Sequence, residues 1–333
     1  MNPLQTDGMF HFWLRVDRLN ARMVTQSDRV SPPINVKDSF LLDVKKLRLL
    51  REVSLQGSIT AAARSLHVTV SSVSQQIARL EHEHGIALLE ASGRSVRLTP
   101  AAHMLVTHTE TVLAALEEAE AELEQNRKAP RGVVHLVAFH TFAAGILGRA
   151  VQHLERIAPS MTLRFTQLDP AAAITELNAR RADVVVTDEY PGYPLPPTRG
   201  IVRTELGTDA IRAYLPQAGV QPHAVAWAME PPMSDATRWA RGLCRGAGFE
   251  PRVLFESPDP YVHAQLVGQG VAAAFLPVMV ARQIGLTKPE CPLFDTDMSR
   301  TFVALVRRGT ERSPAVEACR RALEMAYSAK HQV

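Results

Sequence analysis

The stretch SITAAARSLHVTVSSVSQQIARLE, Ser58 to Glu81, constrains this chain more than any other. Wound as a helix at about 100° per residue, Ile77 and Leu80 fall within about 40° of Val73. Those three side chains form a face to bury. Ser71, Gln75, Ala78 and His82 point the opposite way, with Ser72 and Arg79 beside them. That face carries short and medium hydrogen-bonding groups rather than the Lys/Glu mixture of an ordinary solvated helix. Ala62 and Ala63 on the preceding segment allow a close helix crossing, because a larger side chain would push the two helices apart. Two helices joined by a tight turn, the second with an exposed polar face, make a helix-turn-helix.

The flanks extend this unit. Val44, Leu47, Leu50 and Val53 recur at helical spacing and predict a first helix ending near Gln56-Gly57. Ser58 is the predicted N-cap of a short second helix through Leu66. Thr69 caps a third helix that runs to about His84 and ends at Gly85. ALLEASGRSVRLT then reads as a hairpin around a Ser92-Gly93 tip, with Arg94 and Arg97 on it. Gln pairs bidentately with adenine in the major groove, Ser donates or accepts at several base edges, and arginine on a wing reaches phosphate or minor groove. The predicted DNA-contacting set is Ser58, Thr60, Thr69, Ser71, Ser72, Ser74, Gln75, Arg79, Arg94 and Arg97. The formal net charge of +3 is too small to argue for a polyanion partner. Its distribution is more informative. Lys45, Lys46, Arg48, Arg51, Arg64, Arg79, Arg94 and Arg97 crowd the first module, whereas Glu110, Glu117, Glu118, Glu120, Glu122 and Glu124 follow.

Pro100 to Lys128 reads as one long helix. Leu105, Val112, Leu116, Ala119 and Leu123 form a heptad-like seam that a lone helix cannot bury against itself, so a second copy of the chain is the expected partner. RKAPRG, Arg127 to Gly132, breaks the helix as a hinge. Beyond it, VVHLVAF, TLRFTQL, DVVVT, RVLFES, VAAAFL and TFVALVRR are predicted strands, most of them separated by helical patterns. This is the signature of an α/β unit with mainly parallel sheets and room for two lobes. Cleft residues are expected where strands give way to helices. There His140, Thr141 and Phe142 follow the first strand, Asp169 the second, and Thr187 and Asp188 the third, while Asp259 opens a later helix. Thr141 at a helix N-terminus suits a polar or anionic group.

The motif GSITAAARSLHVTVSSVSQQIARLEHEHGIALLEASGRSVRLT resembles the amino-terminal region of LysR-type transcriptional regulators. It shares the family's small-Ala-Ala helix, its Ser-x-x-x-Ile-x-x-Leu-Glu recognition helix and the hydrophobic-Leu-Thr close of the wing. LNARRADVVVT, GAGFEP and LVGQGVAAAFLP extend the resemblance more weakly through residues 131–328. Three departures stand out. Leu89 and Ala91 occupy the stretch where the family usually has Phe and Arg, Ala102 replaces a usual Gly, and Leu215 to Trp227 is short for a second lobe. The resemblance implies an α/β protein with an N-terminal all-α winged helix-turn-helix domain, a long linker helix and a two-lobed, periplasmic-binding-protein-like effector domain. On this reading residues 41–99 form the DNA-binding domain and 100–130 the dimerisation helix and hinge. The effector domain is 131–333, with lobe 1 at about 131–206 and 275–333 and lobe 2 at about 207–274. Double-stranded DNA, a small-molecule effector, a homodimer that pairs into a tetramer, and RNA polymerase are the partners this implies. The rival reading is a non-catalytic sensor module whose head mediates protein–protein contacts.

Catalysis has little support. The sequence holds no P-loop, no G-x-S-x-G elbow and no metal-ligand run, so no enzyme activity, metal or cofactor is expected. Cys244, Cys291 and Cys319 are widely spaced, which predicts idle thiols rather than a disulfide framework. No apolar run is long enough for a bilayer, and MFHFWL near the start lacks the form of a signal peptide; the chain is expected to be cytoplasmic. Residues 1–40 show no periodicity and are broken by SPPIN, and are expected to form a disordered extension.

Overall fold

A computed structural model describes residues 41–92, 95–126, 129–294 and 297–328. The expectations for residues 1–40, the hairpin tip and Arg94 lie outside them.

The head begins with α1 (Val44–Gln56), whose Asp43 cap accepts from the Lys45 N–H at 2.8 Å. Gly57, at φ +70°, ends it in the left-handed conformation that a side chain would resist. α2 (Ile59–Ser65) is capped by Ser58 on the Ala61 N–H, and α3 (Val70–His84) by Thr69 on the Ser72 N–H. Strands β1 (Leu89–Ser92) and β2 (Ser95–Leu98) pair antiparallel as the wing. Glu81, on α3, takes the N–H groups of Leu88 and Leu89 at 2.7 and 2.9 Å, which fixes the wing to that helix. Leu47, Leu50, Val53, Ala62, Ala63, Val73, Ile77, Leu80, Leu88 and Ala102 make one core. Each large side chain among them contributes about 1.5–3 kcal/mol by leaving water. Ala102 is wholly buried there.

α4 (Pro100–Gln125), capped by Thr99, leaves the head and crosses the body. Its inner face buries Ala102, Thr109, Leu113 and Ala121. On the same face Glu110 and Glu117 meet Arg180 at 3.0 Å each, and Arg307 meets Glu117 at 2.9 Å. At Gly309 a Cβ would lie 2.7 Å from the Ala114 carbonyl oxygen, so only glycine admits this approach of body to helix. The seam residues divide. Leu105 packs against the head core, whereas Val112, Leu116, Ala119 and Leu123 stay exposed on the outer face, Leu123 at 72%.

The body runs through β3 (Gly132–Ala138), α5 (His140–Phe142), a π-helical turn at Ala143–Leu147, α6 (Gly148–Ile157), β4 (Met161–Gln167), α7 (Pro170–Asn178) and β5 (Val184–Glu189). Then come β6 (Ile201–Tyr214), β7 (Ala226–Met229), α8 (Asp235–Gly246), β8 (Arg252–Glu256), α9 (Pro260–Gly268), β9 (Ala274–Pro277), α10 (Val278–Gln283), β10 (Ser299–Arg307) and α11 (Pro314–Ser328). Six strands form one sheet in the order β4-β3-β5-β10-β6-β9, and β7 and β8 pair separately.

The expected mainly parallel sheet needs correction. β3 pairs in parallel with β4 and β5, but β10 runs antiparallel to both β5 and β6, and β6 antiparallel to β9. The sequence pattern announces neither the short β7 nor the long β6. Gly207 interrupts its alternation, at φ +143° beside a register shift in β10, and a Cβ there would collide with the Tyr327 ring. Val184 and Val186 face α6 and α11, while Val137, Val185 and Val303 face α7, which makes three layers. A second core gathers Trp227, Trp239, Ile211, Cys244 and Ala273 with Tyr190, Cys291 and Met298. β6 and β10 run between the two cores. The short segment from Leu215 to Val225 carries no helix or strand.

Candidate functional site

On the head, α3 buries Val73, Ile77 and Leu80 and exposes Ser71, Ser72, Ser74, Gln75 and Arg79. Thr60 and Thr69 are exposed nearby, whereas Ser58 is half-buried. Ser58 and Thr69 spend their hydroxyls on helix caps, and the Thr69 and Ser71 hydroxyls lie 3.1 Å apart. Arg79 pairs with Glu83 at 3.2 Å and Arg97 with Glu90 at 2.7 Å. Both arginines are largely solvent-exposed, so these pairs are weak and easily exchanged for phosphate. The head also touches its own body. Glu52, almost wholly buried, takes Arg181 at 3.1 Å, the Ser65 hydroxyl at 2.6 Å and the Gln56 amide at 3.0 Å. Arg181 Nη1 also donates to the Ser65 hydroxyl at 2.6 Å, and Arg51 donates to the Asn178 carbonyl and to Glu110.

The body holds a polar centre where its crossing strands leave one core for the other. Arg300, 2% exposed, enters from β10. Its guanidinium donates to Asp209 at 3.0 Å, Asp188 at 3.0 Å and the Thr141 hydroxyl at 2.9 Å, and lies against the Phe139 and Phe302 rings. Burial opposes its charge, but the carboxylates of Asp188 and Asp209 more than reverse that effect and hold it protonated. Burial pushes the Asp188 carboxyl up, against the pull of Arg300. No sequence pattern singles out Arg300. A lone cation at the start of an apolar strand is its only mark.

The expected cleft residues separate into two groups. Thr141 and Asp188 meet at Arg300, and His140 Nε2 lies 2.8 Å from Asp259 Oδ1 close by. Asp259 also caps α9 on the Tyr261 N–H. The others lie elsewhere. Phe142 is fully buried in the core, edge-on to Phe302. Asp169 caps α7 on the Ala172 N–H. Thr187 is fully buried and alternates with Asp188 on β5, so it faces the α7 side of the sheet; its hydroxyl has no hydrogen-bond partner among the described residues.

Beside the Arg300 centre is a crevice lined by Tyr190, Met229, Glu230, Trp239, His263 and Phe275. Glu230 was not marked by the sequence, because MEPP reads as a turn. Its carboxyl is pushed up to about 7, first by burial and then by Asp188, against the pull of Arg300. Burial lowers His263, which is 3% exposed with Nε2 2.9 Å from the Ser257 carbonyl oxygen. All three cysteines are buried, and burial pushes the Cys244 and Cys319 thiols up to about 12, so neither supplies a ready thiolate. Among the described residues no helix is long and apolar enough to cross a membrane.

A winged helix-turn-helix on a two-lobed body with a polar centre between its cores defines a class: ligand-responsive DNA-binding regulators. Residues 44–103 match the bacterial regulatory helix-turn-helix protein family of lysR type, and residues 127–327 match the LysR substrate binding domain. The chain belongs to the LysR family of transcriptional regulators. The transcriptional regulator ClcR of Pseudomonas putida is 28% identical over 250 residues, covering 72% of this chain and 84% of that protein. TfdS of Cupriavidus pinatubonensis is 27% identical over 258 residues, with the same two coverages. In structure, a full-length cysteine-to-aspartate variant of OxyR from Pseudomonas aeruginosa superposes with a TM-score of 0.61 at 16% identity, over 85% of this chain and 95% of that one. That similarity is one of fold.

Proposed function

We propose that this regulator reads DNA through the α3 face formed by Ser71, Ser72, Ser74 and Gln75, with Thr60, Thr69, Arg79, Arg94 and Arg97 as backbone contacts. The observation that carries this reading is the division of α3. Its apolar side is committed to the head core, and its outward side offers base-pairing groups at the spacing a major groove accepts. Ser58 acts as a helix cap that orients α2. Two copies join through Val112, Leu116, Ala119 and Leu123, four residues the chain leaves exposed along one face of α4, and dimers pair into a tetramer. Residues 41–99 are the reading unit, 100–130 the pairing helix, and 131–333 the effector unit. An effector enters between the lobes near Thr141, His140, Asp188 and Asp259, and shifts the arrangement in which two heads meet DNA. The protein acts in the cytoplasm, without catalysis, and RNA polymerase is its downstream partner.

The test is a gel shift against DNA upstream of the protein's own gene. Gln75→Ala is expected to lower preference for the cognate site by about 1–3 kcal/mol while leaving random-DNA binding near wild type. Equal losses on cognate and random DNA would remove Gln75 from the reading face.

A further inference from the structure

The crevice beside Arg300 has a charge and a lining that select among ligands. Tyr190 and Trp239 lie with ring centroids 5.4 Å apart, and Phe275 stands edge-on to Trp239 at 5.5 Å. The three rings line one wall of a narrow space, Phe275 with one face stacked on Trp227. Another wall carries the Glu230 carboxylate, whose backbone carbonyl is pinned by the Thr237 hydroxyl at 2.7 Å.

The cations near this space are already committed. Arg300 is shared between Asp188 and Asp209, which leaves that centre with a surplus negative charge. His263, buried and held below its ordinary value, adds none. Arg238, one turn into α8, is engaged by Asp235 and lies over the Tyr193 ring. Of the helices that begin nearby, α8 and α9 already hold the chain's own carboxylates at their starts, Asp235 in the first turn of one and Asp259 as the cap of the other. The third, α5, opens without a side-chain cap and starts beside the carboxylates of Asp259 at His140 and of Asp188 and Asp209 at Arg300. An anionic ligand would meet Glu230 and Asp188 with no uncommitted guanidinium to receive it. A cation would meet a carboxylate beside aromatic rings, the kind of lining that attracts ammonium groups.

We propose that the effector of this regulator carries an ammonium group, which sits among Tyr190, Trp239 and Phe275 against the carboxylate of Glu230. The proposal rests on reading the body as an effector domain, and narrows that reading to the amine class, whether the ammonium belongs to a simple amine or to an amino acid. The charged groups facing Glu230 are Asp188 on β5, Arg300 on β10 and Asp235 on α8, with His263 on α9 and Tyr190 after β5. A bound ammonium would favour the ionised form of Glu230. Binding therefore releases protons, and affinity rises as pH climbs through neutrality.

The experiment uses the full-length protein and four probes of four carbons each: n-butylamine, 2-aminobutyrate, butyrate and n-butanol. Thermal unfolding and calorimetry are read at millimolar probe concentration, at pH 6 and pH 8. The amine, the amino acid or both should raise the melting temperature, more strongly at pH 8, while butyrate and butanol leave it unchanged. The amine alone points to simple amines, and the amino acid alone to a ligand whose carboxylate also binds. Glu230→Gln should weaken the active probe more than tenfold, and Trp239→Phe, which keeps a ring, should weaken it less. Binding of butyrate in preference to the amines, binding of no probe, or equal binding by Glu230→Gln overturns the proposal. A gel shift without any probe, on the same preparation, separates the two levels. If DNA is bound and butyrate is the active probe, the regulator reading stands and the ammonium site falls. If DNA is not bound but the amine binds and depends on Glu230, the site stands and the regulator reading falls.

Discussion

Replacing Arg300 with methionine tests the polar centre of the body most severely. Methionine fills much of the same space, so packing changes little, but a buried positive charge disappears. Arg300 is 2% exposed, and the side chains of Asp188 and Asp209 are 10% and 8% exposed. Both carboxylates lose their cation at once, and Thr141 loses a donor. Breaking a buried pair from one side costs about 3–5 kcal/mol, because the remaining charge has neither partner nor water. The cost should itself depend on pH. Burial already holds the Asp188 carboxyl above its ordinary value, and losing Arg300 raises it further. A carboxyl raised by folding contributes stability below its unfolded pKa and loses it as pH climbs through the folded value. The deficit of Arg300→Met should therefore be larger at pH 8 than at pH 5. Urea unfolding followed by tryptophan emission reads this region directly, since Trp227 and Trp239 both lie in the second core. The triple variant Arg300→Met, Asp188→Asn, Asp209→Asn should recover most of the loss. A single-variant loss under about 1 kcal/mol, or no recovery in the triple variant, would refute the view that charge balance holds this centre together.

Leu116→Asp places a charge on the exposed row of α4 and should lower the dimer population in sedimentation velocity with helix content unchanged; an unaltered mass would reject that row as the pairing surface. Glu230→Gln should flatten the pH dependence of stability. With the carboxyl held at about 7 against an ordinary 4.5, wild type loses stability as pH rises from 4.5 through 7, and the variant should exceed it at pH 8 by ~1–3 kcal/mol in urea unfolding. Arg181→Ala should strip the buried Glu52 of its cation and loosen the head by ~1–3 kcal/mol, seen as faster amide hydrogen exchange in α2, and Glu52→Gln should make that change nearly silent.

The head was legible because local rules and burial agree there. Asp43, Ser58, Thr69 and Thr99 sit at helix starts, Gly57 and Gly85 at helix ends, and the Val73, Ile77, Leu80 triad turns inward as its spacing requires. The body was less legible because its decisive features are non-local. β6 is broken by Gly207, whose reason is a tyrosine ring 120 residues further along the chain. Asp169 follows a strand and Thr187 lies near the end of one, but the first is spent on a cap and the second faces the opposite side of the sheet. Phe142 illustrates the same limit, since position after a strand does not say which way a side chain turns. Thr141 and Asp188 do meet at one centre, but their common partner, Arg300, lies on a strand that runs in from the far end of the sequence.

Strand β5 carries a mechanical consequence. Arg181, which grips the head at Glu52 and Ser65, lies three residues before its first residue, and Asp188, which grips Arg300, lies near its last. About 13 Å of strand, from Val184 to Asp188, and the two loop residues Ala182 and Asp183 separate the two holds. Val184, Val185 and Val186 are clamped from both sides, and β3 and β10 flank the strand. A strand so clamped behaves as a stiff rod rather than a hinge. Tilting one end by a few degrees moves the other by an ångström or more, and an ångström is enough to part a 3 Å hydrogen bond. The length of this rod, rather than any flexibility in it, sets how far a change in the body can displace the head.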